Sequence, residues 1–137
     1  MRSLLKETAL ILALTLCGAS YSLLSGLAPA PWAKPTILPG EILWEDARVL
    51  KVIWADARSA AAYQEAHIPE ALWFDPNDWD AGLFEVMNMW LEQPRPIIVY
   101  CSSESCKTSQ EVADYLRTSI PDAEVYALKG GFEAWKK

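Results

Sequence analysis

Metal-binding and basic side chains are scarce in this chain of 137 residues. It has one histidine, His67, and three cysteines, Cys17, Cys101 and Cys106. Two thiols and one distant imidazole make too small a ligand set for a zinc site, so no metal and no cofactor is expected. Lys and Arg number 12 against 18 Asp and Glu, a formal net charge of −6. Arg2, Lys6 and Glu7 contribute a net +1, which leaves −7 for the remainder. An acidic domain is poorly built to take nucleic acid or an anionic membrane surface as its main partner. Repeats and low-complexity tracts are also absent. What is present is globular: 52% hydrophobic residues and seven Trp, enough for one compact core of about 100 residues.

The amino terminus differs from the rest. Thr8 to Ala28 is a stretch of 21 residues without a charge, long enough to reach across a bilayer. Arg2 and Lys6 precede it and predict a cytoplasmic tail, and Trp32 stands where an interfacial anchor would lie. Residues 1–34 are therefore expected to be a membrane anchor, with residues 8–28 in the cytoplasmic membrane and the following domain on the outer, periplasmic side. The alternative is a cleaved signal segment and an exported soluble protein. Ala28-Pro29-Ala30 resembles a cleavage site, but Pro31 would follow the cut. Leu14-Thr15-Leu16-Cys17 resembles a lipoprotein box, but Leu16 is too bulky before a modified Cys. Cys17 then reads as a small apolar residue of the helix.

Residues 35–40 form a proline-rich linker, and residues 41–137 the folded domain. Residues 42–50 read as a short strand and then a helix. Val52–Ala55, Ala71–Phe74, Ile97–Tyr100 and Val125–Leu128 are apolar runs expected as strands. Helices are expected from Ser59 to Ala66, over 78–91, over 108–118 and from Phe132 to Lys136. Trp79, Leu83, Val86, Met87 and Trp90 recur at helical spacing and predict a core-facing stripe. Strands alternating with helices imply an α/β fold: a central, mostly parallel sheet with helices on both faces, plus the amino-terminal apolar helix.

Cys101 ends one of these strands and opens the polar loop Cys101-Ser102-Ser103-Glu104-Ser105-Cys106-Lys107. Thr108-Ser109-Gln110-Glu111 follows with the form of a capping box. Strand, thiol, tight loop and helix start come in that order. Unpaired N–H groups and the helix dipole would then favour the thiolate, the nucleophilic form of cysteine. Ligands of parallel sheets bind outside the carboxyl ends of the strands, where Cys101 lies.

The motifs resemble the rhodanese family. Ile53-Trp54-Ala55-Asp56-Ala57-Arg58-Ser59 is similar to its strand leading to Asp-x-Arg, and Ala66-His67-Ile68-Pro69-Glu70-Ala71 to its Gly-His-Ile-Pro-Gly-Ala turn. Val99-Tyr100-Cys101 matches the strand bearing the catalytic Cys, and Leu128 to Trp135 the closing Gly-Gly-x-x-x-Trp element. The resemblance implies a rhodanese-like fold and a sulfurtransferase in which Cys101 carries sulfane sulfur as a persulfide. A sulfane-sulfur donor and a thiol or other thiophilic acceptor are the implied partners. Amides and hydroxyls of Ser102, Ser103 and Ser105, with the charge of Lys107, would cradle the anionic persulfide. Glu104 opposes an anionic donor such as thiosulfate.

Departures from the family pattern open alternatives. Cys106 and Lys107 stand where an Arg is common, and Ala66 and Glu70 replace two glycines. Cys106 either fills space, closes a disulfide with Cys101, or resolves a Cys101 persulfide or sulfenic acid. A non-catalytic or thiol–disulfide redox-sensing domain, with a redox protein as partner, is therefore a second reading. A Cys-dependent phosphatase ranks last, because Lys107 cannot grip phosphate as an Arg does. His67 is expected as a turn residue bonded to backbone. Asp56 and Arg58 are expected as an ion pair that holds the strand-to-helix turn or frames the site.

Overall fold

The computed structural model describes residues 2–26, 36–103 and 107–136. The chain divides into two compact units, Met1–Thr36 and Ile37–Lys137.

The first unit is helix α1, Arg2–Leu24. Leu10, Ile11, Leu12, Leu14 and Leu16 are each exposed. Thr15 and Ser20 turn their hydroxyls back onto the carbonyls of Leu12 and Leu16, at 2.9 and 2.8 Å, so these polar groups are satisfied within the helix. The expected span over 8–28 is not supported. Among the described residues no helix is long and apolar enough to cross a membrane. The uncharged part of α1 ends at Leu24. At ~1.5 Å per residue it is about 26 Å long, short of the roughly 30 Å of a hydrocarbon core. Residues 27 and 28, and Pro35 at the start of the proline-rich linker, lie outside the described residues.

The second unit is built on one sheet. Its strands are β1 (Glu41–Ile42), β2 (Ile53–Asp56), β3 (Leu72–Trp73), β4 (Ile97–Tyr100) and β5 (Val125–Leu128), in the order β1-β5-β4-β2-β3. All pairings are parallel, with β2 and β4 in register from Ile53↔Ile97 to Asp56↔Tyr100. The helices that connect and follow them are α2 (Trp44–Ala47), α3 (Ala60–Glu65), α4 (Trp79–Glu92), α5 (Thr108–Ser119) and α6 (Gly131–Trp135). All four residues of β4 are buried, as an apolar run at the centre of a doubly covered sheet should be. Ile97 and Val99 enter one core with Val86 of α4 and Val112, Ala113 and Leu116 of α5. Ile98 and Tyr100 point to the other face, with Ala47, Ile68 and Phe132. Burying each large side chain of this kind contributes roughly 1.5–3 kcal/mol.

The helix starts follow from local chemistry. Ser59 caps α3 by accepting from the Ala62 amide, and Asp78 caps α4 by accepting from that of Ala81. The α4 stripe faces the core as expected, with Val86 buried and Trp79, Leu83, Met87 and Trp90 packed against it. Gly82 lets α4 approach Phe74, because a Cβ there would lie 2.6 Å from the ring.

Two expectations change. β3 is shorter than the apolar run 71–74: Ala71 belongs to the turn closed by its amide on Ile68, and Phe74 bonds Asp56 beyond the strand. The capping box at Thr108 does not form. Lys107 already has right-handed helical φ and ψ and stands at the N-cap position, so Thr108 lies inside the helix, and the Lys107 side chain makes no capping hydrogen bond.

Candidate active site

Cys101 follows β4 directly and is 1% exposed. Its carbonyl oxygen accepts from the Phe132 amide at 2.7 Å, which ties the start of the loop to the start of α6. Gly130 and Gly131 make this contact attainable. Both have left-handed φ values, 81° and 57°. A Cβ on Gly131 would lie 2.5 Å from the Cys101 oxygen and 2.9 Å from the Ser103 amide nitrogen. The Gly-Gly pair is thus the turn that lets one backbone run hard against the Cys101 loop.

Cys101 is disulfide-bonded, whereas Cys17 is free. Cys106, for which the sequence left a disulfide with Cys101 as one of three roles, falls outside the described residues, as do Glu104 and Ser105. Of the remaining loop residues, Ser102 is exposed and Ser103 half-buried. Lys107 is exposed and heads α5, whose first turn returns the Gln110 and Glu111 amides to the Lys107 carbonyl at 3.0 and 3.1 Å.

Against Phe132 lies a buried polar cluster. Asp56, at the end of β2, is wholly buried, and Arg58 is 7% exposed. Arg58 Nε donates to Asp56 Oδ1 at 2.9 Å and Nη2 to Oδ2 at 2.6 Å, a fork-to-carboxylate pair. Nη2 also donates to the Ala66 carbonyl at 2.6 Å. The guanidinium lies 3.9 Å from the centre of the Phe132 ring, a cation–π contact with the residue that holds Cys101. Burial works against the Arg58 charge, but the Asp56 bonds and charge outweigh it and hold the pKa above its ordinary value. The expected pair therefore forms. It reaches both the strand-to-helix turn, through Ala66, and the Cys101 support, through Phe132.

Tyr100 completes the cluster and was not legible as a site residue. Its hydroxyl oxygen accepts from the Ile68 amide at 3.1 Å, and its ring stacks on Phe132 with centroids 6.0 Å apart. Burial, then the Asp56 carboxylate, raises the Tyr100 pKa well above the ordinary phenol range, so the ring stays neutral. His67 occupies the turn. Its Nδ1 is 2.9 Å from the Tyr63 carbonyl oxygen, and its ring stacks on Tyr63 at 4.1 Å. Nothing in that geometry directs the imidazole at Cys101.

A second polar group flanks the loop side of α5. Glu41 accepts from Gln110 Nε2 at 2.9 Å and from the Leu38 amide at 2.7 Å, and pairs with Lys129 at 3.5 Å. Burial opposes its charge, but these partners outweigh that and hold the carboxyl below its usual range. Neither Glu41 nor Gln110 carries a sequence signal, because the pair joins residues far apart in the chain. Among the described residues no group of three or more His, Cys, Asp and Glu is arranged to hold a metal ion.

Residues 41–137 match the family model described as the rhodanese-like domain. The chain is 36% identical over 93 residues to a thiosulfate sulfurtransferase GlpE of Coxiella burnetii, covering 68% of this chain and 79% of that protein. A thiosulfate sulfurtransferase GlpE of Tolumonas auensis is 33% identical over 92 residues, covering 62% of this chain and 73% of that protein. Among solved structures, a Bacillus halodurans protein superposes with a TM-score of 0.56 at 27% identity, over 70% of each chain.

Proposed function

This chain belongs to the rhodanese-like domain family, and on that premise we propose that it is a sulfurtransferase carrying sulfane sulfur on Cys101. The seat of Cys101 is the observation that carries this: a thiol at the end of the central parallel strand, its backbone fixed by Phe132, before the loop that leads into α5. In the reduced protein the Cys101 thiolate attacks the outer sulfur of a donor. The donor's S–S bond breaks, a bond from Sγ to the transferred sulfur forms, and sulfite or a thiolate leaves. A thiophilic acceptor then attacks the terminal sulfur, and the Sγ–S electron pair returns to Cys101. Loop amides, the hydroxyls of Ser102, Ser103 and Ser105, and the Lys107 charge stabilise the persulfide anion in this scheme.

The two GlpE relatives are named for thiosulfate. Thiosulfate is therefore one donor to consider, but Glu104 adds a negative charge to this loop. Less charged persulfides fit it better.

A second reading rests on the disulfide at Cys101. Cys106, five residues on in the sequence, is the partner this reading proposes. A disulfide-bonded sulfur is not a nucleophile. Two electrons from a dithiol reductant must open it before sulfur transfer, so the redox state would switch the enzyme on and off. Such a bond persists in an oxidising compartment. Export of the domain to the outer side of the cytoplasmic membrane therefore fits it.

Cyanolysis assays on the full chain test the assignment. Cys101→Ser loses activity and Cys106→Ser keeps it; the reverse pattern moves the carrier to Cys106.

A further inference from the structure

Lys129 and Cys101 occupy matching positions on neighbouring strands, at the carboxyl end of the sheet. β4 and β5 pair in register as far as Val99↔Ala127. Cys101 and Lys129 each lie two residues further on, and side chains two apart on a strand share a face. Val99 and Ala127 both enter the core that α5 covers, so Cys101 and Lys129 fall on the α5 side. β5 keeps its course as far as Lys129, whose amide donates to the Ile42 carbonyl at 2.9 Å. A second observation puts the ammonium on that side. Lys129 pairs with Glu41 at 3.5 Å, and Glu41 accepts from Gln110 in the first turn of α5. The loop from Cys101 to Lys107 thus starts on the strand beside Lys129 and ends at the helix turn next to it. The Lys129 side chain is 16% exposed, so its charge is screened less than that of the exposed Lys107. Resting on the sulfurtransferase reading of Cys101, we propose that Lys129 is a specificity-determining residue of that site. Its ammonium favours the approach of sulfur donors that carry a negative group, and it offsets the repulsion from Glu104.

The competing explanation is that Lys129 only ties β1 to β5 through Glu41. Iodoacetate and iodoacetamide separate the two, because both alkylate the Cys101 thiolate and they differ by one negative charge. Their rates are measured on the reduced full chain and located on Cys101 by digestion and mass spectrometry. Lys129→Met should lower the ratio of the iodoacetate rate to the iodoacetamide rate by about fivefold, the effect of one unit charge close to the reacting sulfur. Lys129→Gln, which keeps a hydrogen-bond donor for Glu41, should lower it similarly, and Lys129→Arg should restore it. Glu41→Gln breaks the same ion pair but keeps the cation, so the ratio should not fall. A purely structural lysine predicts that Lys129→Met and Glu41→Gln lose stability alike and that neither changes the ratio. An unchanged ratio in Lys129→Met and Lys129→Gln, or an equal fall in Glu41→Gln, overturns the proposal. Alkylation involves no sulfur transfer, so this proposal and the assignment of Cys101 as sulfur carrier can fail separately.

Discussion

The backbone amide of Phe132 donates to the carbonyl oxygen of Cys101 at 2.7 Å, so the residue proposed as sulfur carrier is held by the helix that closes the domain. The Phe132 ring in turn lies under the Arg58 guanidinium and against Tyr100. Asp56 fixes Arg58. A chain of contacts thus runs from β2 through the ion pair and the ring to the Cys101 backbone.

Gly131 is the narrowest point of this arrangement. Gly131→Ala places a methyl group 2.5 Å from the Cys101 oxygen, on backbone with φ 57°. Either α6 or the Cys101 loop must move. The variant should lose about 1–3 kcal/mol of stability and fall in kcat by about a hundredfold. Urea unfolding and a cyanolysis assay check both. Full activity would mean that the Phe132–Cys101 contact does not position the sulfur.

Breaking the buried ion pair should cost more. Asp56→Ala leaves the Arg58 charge buried without its carboxylate, a change of about 3–5 kcal/mol. Arg58→Lys keeps the charge but loses the fork and the flat contact with Phe132. It should be destabilised by less and still lose sulfur-transfer rate. Equal stability of wild type and Asp56→Ala in urea would contradict the structural role given to the pair.

The fold was legible where the sequence alternates apolar runs with breaks. β2, β4 and β5 are short apolar segments bounded by polar or proline residues, and the spacing of Trp79, Leu83, Val86 and Trp90 announced the buried face of α4. The Cys101 loop was legible as strand, thiol and helix start. Other features were not. The Tyr100–Ile68 and Glu41–Gln110 bonds join residues brought together only by the sheet order, and no local pattern marks them. Thr108 carries the residue types of a cap, but the conformation of Lys107 decides where α5 begins. The length of an uncharged stretch did not disclose where α1 would end.

Glu41 gives a pH-dependent test. Its folded carboxyl lies below the usual range, so its stabilisation is present above the unfolded value of about 4.3 and is lost as pH falls through the lower folded value. Glu41→Gln should cost about 1 kcal/mol at neutral pH. The gap to wild type should close as pH drops below about 4. Thermal melts across that range check it. A gap that stays constant in acid would remove the charge from the explanation.

The proposed function ties donor choice to Glu104. With that charge removed, Glu104→Gly should raise kcat/KM for thiosulfate by several-fold, about 1 kcal/mol, and change turnover of neutral persulfides less. Steady-state kinetics with both donors decide it. No gain with thiosulfate in a folded variant would discard the electrostatic argument.

Intact-mass analysis of the full chain tests the central claim most directly. The chain is first reduced, then exposed to a sulfane-sulfur donor, and compared with a sample exposed without reduction. The account predicts one added sulfur atom on the reduced wild type, located by digestion on Cys101. It predicts none on Cys101→Ser and none on the unreduced, disulfide-bonded chain. A reduced wild type that takes up no sulfur, or takes it up equally well as Cys101→Ser, would contradict it.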